Sequence, residues 1–217
     1  YKGEALLPYL EKVDVTEKKQ EEGFYMPVQR VCRPDHTFRG FQGQIESGEV
    51  KVGDEIVTLP SNERAHIKSI LVGDKDSQSA FMGQPVTLQL DKEVDVSRGC
   101  GIASGNNLPI SESFTATILW MDDEELTPGT DYLVKLGTKQ IPGILKNIQY
   151  KIDVNTGEFI PAGQLKKNEI AVCDLDLQEP VVIDEFKKHK TLGELILIDR
   201  ISNMTSACGV VTEAKED

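Results

Sequence analysis

The chain has 217 residues, 39% hydrophobic and 28% charged, a composition that builds a globular core and excludes disorder as the dominant state. Its 24 basic and 36 acidic residues leave a net charge of −12, a field that repels phosphate backbones and anionic membranes. No apolar run approaches the ~18 residues of a membrane span, and no signal peptide is visible, so a cytoplasmic protein is expected.

The first 13 residues, YKGEALLPYLEKV, place Leu6, Leu7, Leu10 and Val13 at helical spacing. Pro8 lacks an N–H and is tolerated only in a first turn, so the helix is expected to start near Leu7 or to bend there. The stretch that follows, VTEKKQEEG, is charged and has no apolar periodicity; it reads as an exposed linker. The sequence starts at Tyr1, without a methionine, and a piece of a longer chain is expected.

From Phe24 onward the texture is that of short strands punctuated by turns. The runs FYMPVQRVCR, FRGFQGQIES, EVKVGDEIVTLP, RAHIKSILV and QPVTLQLD are separated by Ser47-Gly48, Gly53-Asp54 and Gly73-Asp74. A break of boundary composition, SGNNLPISES, covers residues 104–113. A second set follows: FTATILWM, DYLVKLG, QIPGILKNIQYKI, NEIAVCDLDL, PVVIDEF and ELILIDRI. In AVCDLDL the alternation puts Ala171, Cys173, Leu175 and Leu177 on one face and Val172, Asp174 and Asp176 on the other. The expectation is an all-β protein: a helix and linker over 1–23, one β-barrel domain over 24–109 and a second over 110–217. Counted that way, the acidic excess sits in the last part, with 11 basic and 19 acidic residues, against 9 and 11 in the middle.

The chemistry-bearing motifs are mostly missing. Gly-Lys does not occur, so there is no P-loop, and no NKxD, DxxG or helix-opening GxGxxG is present. Cys32, Cys100, Cys173 and Cys208 are widely spaced, with no CxxC, and read as reduced thiols. His36, His66 and His189 form no HxH or HExxH. DKDSQS and DLDLQE begin like calcium loops but lack the glycine and glutamate such a loop needs. No GxSxG marks a nucleophile. Asn203-Met204-Thr205 spells a glycosylation sequon without a secretory signal.

Three features remain: the acidic run MDDEEL at 121–126, a solvated loop or a docking patch; the basic run KKHK at 187–190, solvent-facing or an anion contact; and the lone Trp120, read as a core residue. No catalytic, cofactor-binding or metal-ligating residue is assigned.

One stretch is more specific. FRGFQGQIESGEVKVGDEIVTLPS, residues 38–61, with AFMGQPVTLQL and DVSRG, resembles the second domain of translational GTPases. Within that superfamily, several motifs in order resemble the large, GTP-binding subunit of bacterial sulfate adenylyltransferase. They are YKGEALLPYLEKV, MPVQRVCRPDHTFRGFQG, ILWMDDEELTPGTDYLVKLGTK, NIQYKIDVNT and IDRISNMTSACGVV. Pro8 and the Ser206-Ala207-Cys208 end depart from the family pattern. The resemblance implies two β-barrels, domains II and III, behind a missing G domain that would hold GTP and magnesium. It also implies a small catalytic subunit as partner, which makes adenylyl sulfate from ATP and sulfate. The fragment itself would bind neither nucleotide and catalyse nothing alone. Two alternatives share the fold class: a tRNA-binding β module of a translation GTPase, which the negative charge disfavours, and a stand-alone β-barrel adaptor.

Overall fold

The computed structural model describes residues 2–13, 23–105 and 107–215. The expected linker VTEKKQEEG spans residues 15–23, and all of it but Gly23 lies outside the described residues. Helix α1, Leu6–Lys12, places Pro8 in its first turn, where the absent N–H costs no helical bond. The helix buries none of its residues, and Leu6 is 72% exposed.

The first strand set runs β1 (Phe24–Pro27), β2 (Arg30–Cys32), β3 (Gly40–Gln44), β4 (Glu49–Lys51), β5 (Glu55–Leu59), β6 (Arg64–Val72), β7 (Lys75–Ser77), β8 (Ser79–Phe81), β9 (Pro85–Leu90) and β10 (Gly101–Ser104). The main sheet has the order β1-β10-β5-β6-β9-β3-β2, with β7 beside β6 and a separate β4–β8 pair. Its two end strands are neighbours in the chain. Val28 N–H bonds Cys100 O at 2.8 Å and Gln29 N–H bonds Gln42 O at 2.8 Å. A single extended run over 24–32 therefore supplies both edges and rolls the sheet into a barrel, which leaves no long open edge. Inside, Phe24, Met26, Phe41, Ile56, Leu88 and Ile102 are buried. Each such side chain contributes roughly 1.5–3 kcal/mol relative to exposure. The roll needs Gly43: a Cβ there would stand 2.2 Å from the carbonyl oxygen of Pro27.

The second set is β11 (Ile110–Trp120), β12 (Asp131–Leu136), β13 (Lys139–Ile152), β14 (Phe159–Ile160), β15 (Ile170–Val182), a short helix α2 (Lys190–Gly193), β16 (Glu194–Asp199) and β17 (Thr205–Ala214). The ladder β12-β16-β17-β11-β15-β13 closes on itself because β12 also pairs β13. This is a closed antiparallel barrel of six strands, with β14 appended to the long end of β13. Trp120, Phe114, Ile118, Leu145, Leu175 and Leu197 fill it.

The all-β expectation holds, and several boundaries move. ISES, expected in the break, belongs to β11, because Ser111 pairs Val181 and is buried there. NEIAVCDLDL and PVVIDEF are largely one strand, β15. Its Pro180 is tolerated at a register shift where the ladder to β11 is interrupted. The short β7, β8, β10 and β14 carry too few residues to show a period.

Candidate interaction surfaces

The two barrels meet along a seam. Tyr25, Leu59 and Ala103 of the first pack with Leu192 of α2 and with Leu108 from the connection, flanked by Ile110 and Val182. Over this apolar contact Thr191 donates its hydroxyl hydrogen to Glu46. Gly99, at φ +96, lies so close to Lys139 that a Cβ would meet its side chain at 3.0 Å. A cavity of about 300 Å³ remains beside these contacts, lined among others by Gln29, Gln44, Glu46, Lys139 and Glu194.

The seam's electrostatics follow from burial. Burial pushes the Tyr25 hydroxyl well above its ordinary range, and the charges of Glu46 and Cys100 push it further. Burial also raises the Glu46 carboxyl; the Thr191 hydrogen bond opposes this, Glu194 adds to it and His189 opposes it. Thus one half-buried carboxylate, with a second nearby, sits where the barrels join.

The second feature lies on the outside of the second barrel. Following the register, Phe159 of β14 pairs with Ile152 of β13, Ile152 with Ile170, Ile170 with Leu119, Leu119 with Cys208, Cys208 with Ile196, and Ile196 with Lys135. Paired residues share a face, and this is the outward one, since Ile118, Ala171, Leu195 and Leu197 point into the core. Lys135 then pairs with Gln140, so the row returns to β13 twelve positions before its start at Ile152. That is the stagger of a barrel with tilted strands. An apolar belt therefore runs across six strands, from Phe159 to Ile196, and ends at the polar pair Lys135 and Gln140. Over its middle is a cleft of about 550 Å³, floored by Leu119, Ile170, Ile196 and Cys208 and walled by Phe186. Phe159, on Tyr150 at 4.6 Å between ring centroids, is 68% exposed.

Four residues along the same strand the outer face turns polar. Asp174 accepts hydrogen bonds from Thr115 Oγ1 at 2.8 Å, Gln149 Nε2 at 2.9 Å, Lys215 Nζ at 2.8 Å and Asn147 Nδ2 at 3.3 Å. Burial works against its charge, but these bonds outweigh it and lower the carboxyl to about 2.

Several of the features singled out in the sequence have partners within the chain. Trp120 is 2% exposed, meets Tyr132 edge-on at 5.9 Å and donates from Nε1 to Glu124 O at 2.7 Å. The acidic run is tied down: Asp122 accepts from Ser206 Oγ at 2.7 Å, Asp123 pairs Lys167 at 2.6 Å and Glu125 pairs Lys166 at 3.7 Å. In KKHK, Lys188 pairs Glu185 at 2.8 Å, while His189 turns inward to Asp184 at 2.8 Å. His66 meets Asp91 at 3.1 Å and His36 is exposed, so the histidines lie apart. All four cysteines are free; burial pushes Cys173 up to about 12, and Cys208 lies in the cleft. Sequence reading missed the seam and the belt. A signal for the belt was present in ELILID, where both phases of the strand are apolar.

Residues 113–212 match the family described as GTP-eEF1A C-terminal domain-like. The chain is 40% identical over 215 residues to sulfate adenylyltransferase subunit 1 of Teredinibacter turnerae, covering 99% of this chain and 46% of that protein. Against the same subunit of Cellvibrio japonicus it is 41% identical over 214 residues, covering 98% and 45%. Against the bifunctional enzyme CysN/CysC of Rhodopirellula baltica it is 40% identical, covering 98% and 33%. The chain thus spans about half the length, or less, of the curated relatives it matches. Among solved structures, Sup35 complexed with GMPPNP superposes on 100% of this chain and 53% of that one, with a TM-score of 0.85 and 23% identity, and its GDP complex gives the same values. That likeness establishes the fold. Over nearly its whole length the chain is similar to sulfate adenylyltransferase subunit 1, with a fold that resembles translation-factor β domains.

Proposed function

We propose that this chain is the β-barrel portion of the GTP-binding regulatory subunit of a cytoplasmic sulfate adenylyltransferase, with residues 1–23 the end of a G domain and 24–109 and 110–217 its domains II and III. On this reading a small catalytic subunit transfers the adenylyl group of ATP to sulfate, and the barrels link it to the G domain. The reading is carried by the 40% identity over nearly the whole chain to proteins that bear the subunit's name. The described residues do not fit GTP or magnesium. The helices are seven and four residues long, and the left-handed glycines lie in bends and turns along the strand-built part, with no anion cradle opening a helix. Both groups belong, on this reading, to the relatives' remaining length, and no chemical step is assigned to residues here.

What these residues supply is a mechanical connection. A nucleotide can act on a distant site only by changing which conformation is stable, and this needs bodies that move as units. The buried seam supports that role. The test is to express the chain at the full length of its relatives with the small subunit and to assay adenylyl sulfate formation. Stimulation by GTP is expected from the pair, and none from residues 1–217 with the small subunit. Adenylyl sulfate formation indifferent to GTP, or retention of charged tRNA at physiological salt, would overturn the reading.

A further inference from the structure

We propose that the apolar belt of the second barrel is the seat of the companion subunit, and that it takes an apolar segment bearing a carboxylate near one end. The proposal rests on the functional reading above and adds a location and a chemistry to it.

The outward positions of an isolated barrel are expected to be polar. On β15 that holds at Asp174 and Asp176 but fails at Ile170 and Val172, on the same face of the same strand. Ile170 is continued sideways by Leu119, Cys208 and Ile196 rather than standing alone. A contiguous, partly exposed apolar surface on the outside of a barrel marks a contact.

Three observations choose the occupant. First, the relatives are numbered as subunit 1, so a further polypeptide belongs to the assembly. Helix α1 offers the relatives' remaining length a separate apolar surface, since its Leu6, Leu7 and Leu10 are exposed. Second, the cleft is continuous with the seam between the barrels: Gly137 and Glu194 line both it and the interdomain cavity. A segment in the cleft therefore reaches Glu194, whose charge acts on Glu46 across the seam. Third, Lys135 stands exposed at the belt's end and pairs with no carboxylate among the described residues. In a chain of net −12, a free cation beside an apolar floor selects a partner carboxylate.

The test uses the full-length protein and its companion subunit. Cys208 is the reporter: its rate of alkylation by a maleimide, read by peptide mass spectrometry, is compared with and without the companion. At least tenfold protection is expected, with GTP binding unchanged. Ile196→Asp, an outward residue between the inward Leu195 and Leu197, is expected to weaken capture of the companion at least tenfold, and Lys135→Glu several-fold. Equal alkylation rates with bound companion would overturn the proposal while leaving the functional reading intact, and need no variant that might misfold. Protection of Cys208 in the full-length protein alone would overturn it in favour of the protein's own remaining length. Protection that rises with protein concentration would overturn it in favour of a second copy. A wild-type protein that captures no companion would overturn the functional reading itself, and the belt assignment with it.

Discussion

Thr191 and Glu46, 145 positions apart, share a hydrogen bond across the seam, with the hydroxyl donating to a carboxylate that burial has made reluctant to ionise. Because the folded-state carboxyl is raised above its ordinary value, the native state holds its proton longer than the unfolded chain does. The seam is therefore favoured below the ordinary carboxylate range, and that advantage is lost as pH rises through the raised value. Glu46→Gln keeps an acceptor for Thr191 and removes the charge. It is expected to raise the urea midpoint at pH 7, with the difference from wild type shrinking as pH falls toward the ordinary carboxylate range. A difference that stays constant with pH would place the effect elsewhere.

Asp174 has the opposite sign. Its folded-state carboxyl lies at about 2, below the ordinary 3.8, so its contribution is fully present above about pH 4 and is lost as pH falls through the folded value. Asp174→Asn is expected to cost on the order of 2 kcal/mol at pH 7. Urea unfolding at pH 7, 5 and 3 should show a constant loss at the first two and a smaller one at the third.

Gly43 tests the closure of the first barrel. An added methyl would meet backbone, Pro27 O at 2.2 Å, as well as Met26 Cγ at 2.9 Å, so no side-chain movement relieves it. Gly43→Ala is expected to cost about 3 kcal/mol, the upper end of ordinary overpacking. Gly163→Ala, with no atom within 4 Å of the added carbon and no left-handed backbone, should stay within about 0.5 kcal/mol. Equal effects in chemical denaturation would mean that residues 24–32 do not close the sheet as described.

Period and turn chemistry made much of this fold legible in the sequence. RAHIKSILV is β6 residue for residue, and the inward set Ala171, Cys173, Leu175 and Leu177 is the one that alternation assigns. Gly83 and Gly99 take the positive φ that their turns require. The seam was not legible, because Tyr25, Leu108 and Leu192 are brought together by tertiary packing and share no local pattern. The belt was half legible. Apolar residues in both phases of ELILID announce a strand buried on two sides, but only the register shows that Ile196 lines up with Cys208 and Leu119 on the outside. The acidic and basic runs were legible as solvent-facing charge, but not their ion-pair partners. Charge in sequence does not reveal its partners, and Asp123, Glu125 and Lys188 have theirs nearby.

On the proposed reading the barrels act as one coupling body. In the full-length two-subunit complex, Leu192→Asp combined with Thr191→Ala would split the seam without touching either barrel's interior. GTP hydrolysis and capture of the small subunit should persist, while stimulation of adenylyl sulfate formation by GTP is lost. Stimulation at the wild-type level in that variant would contradict the account.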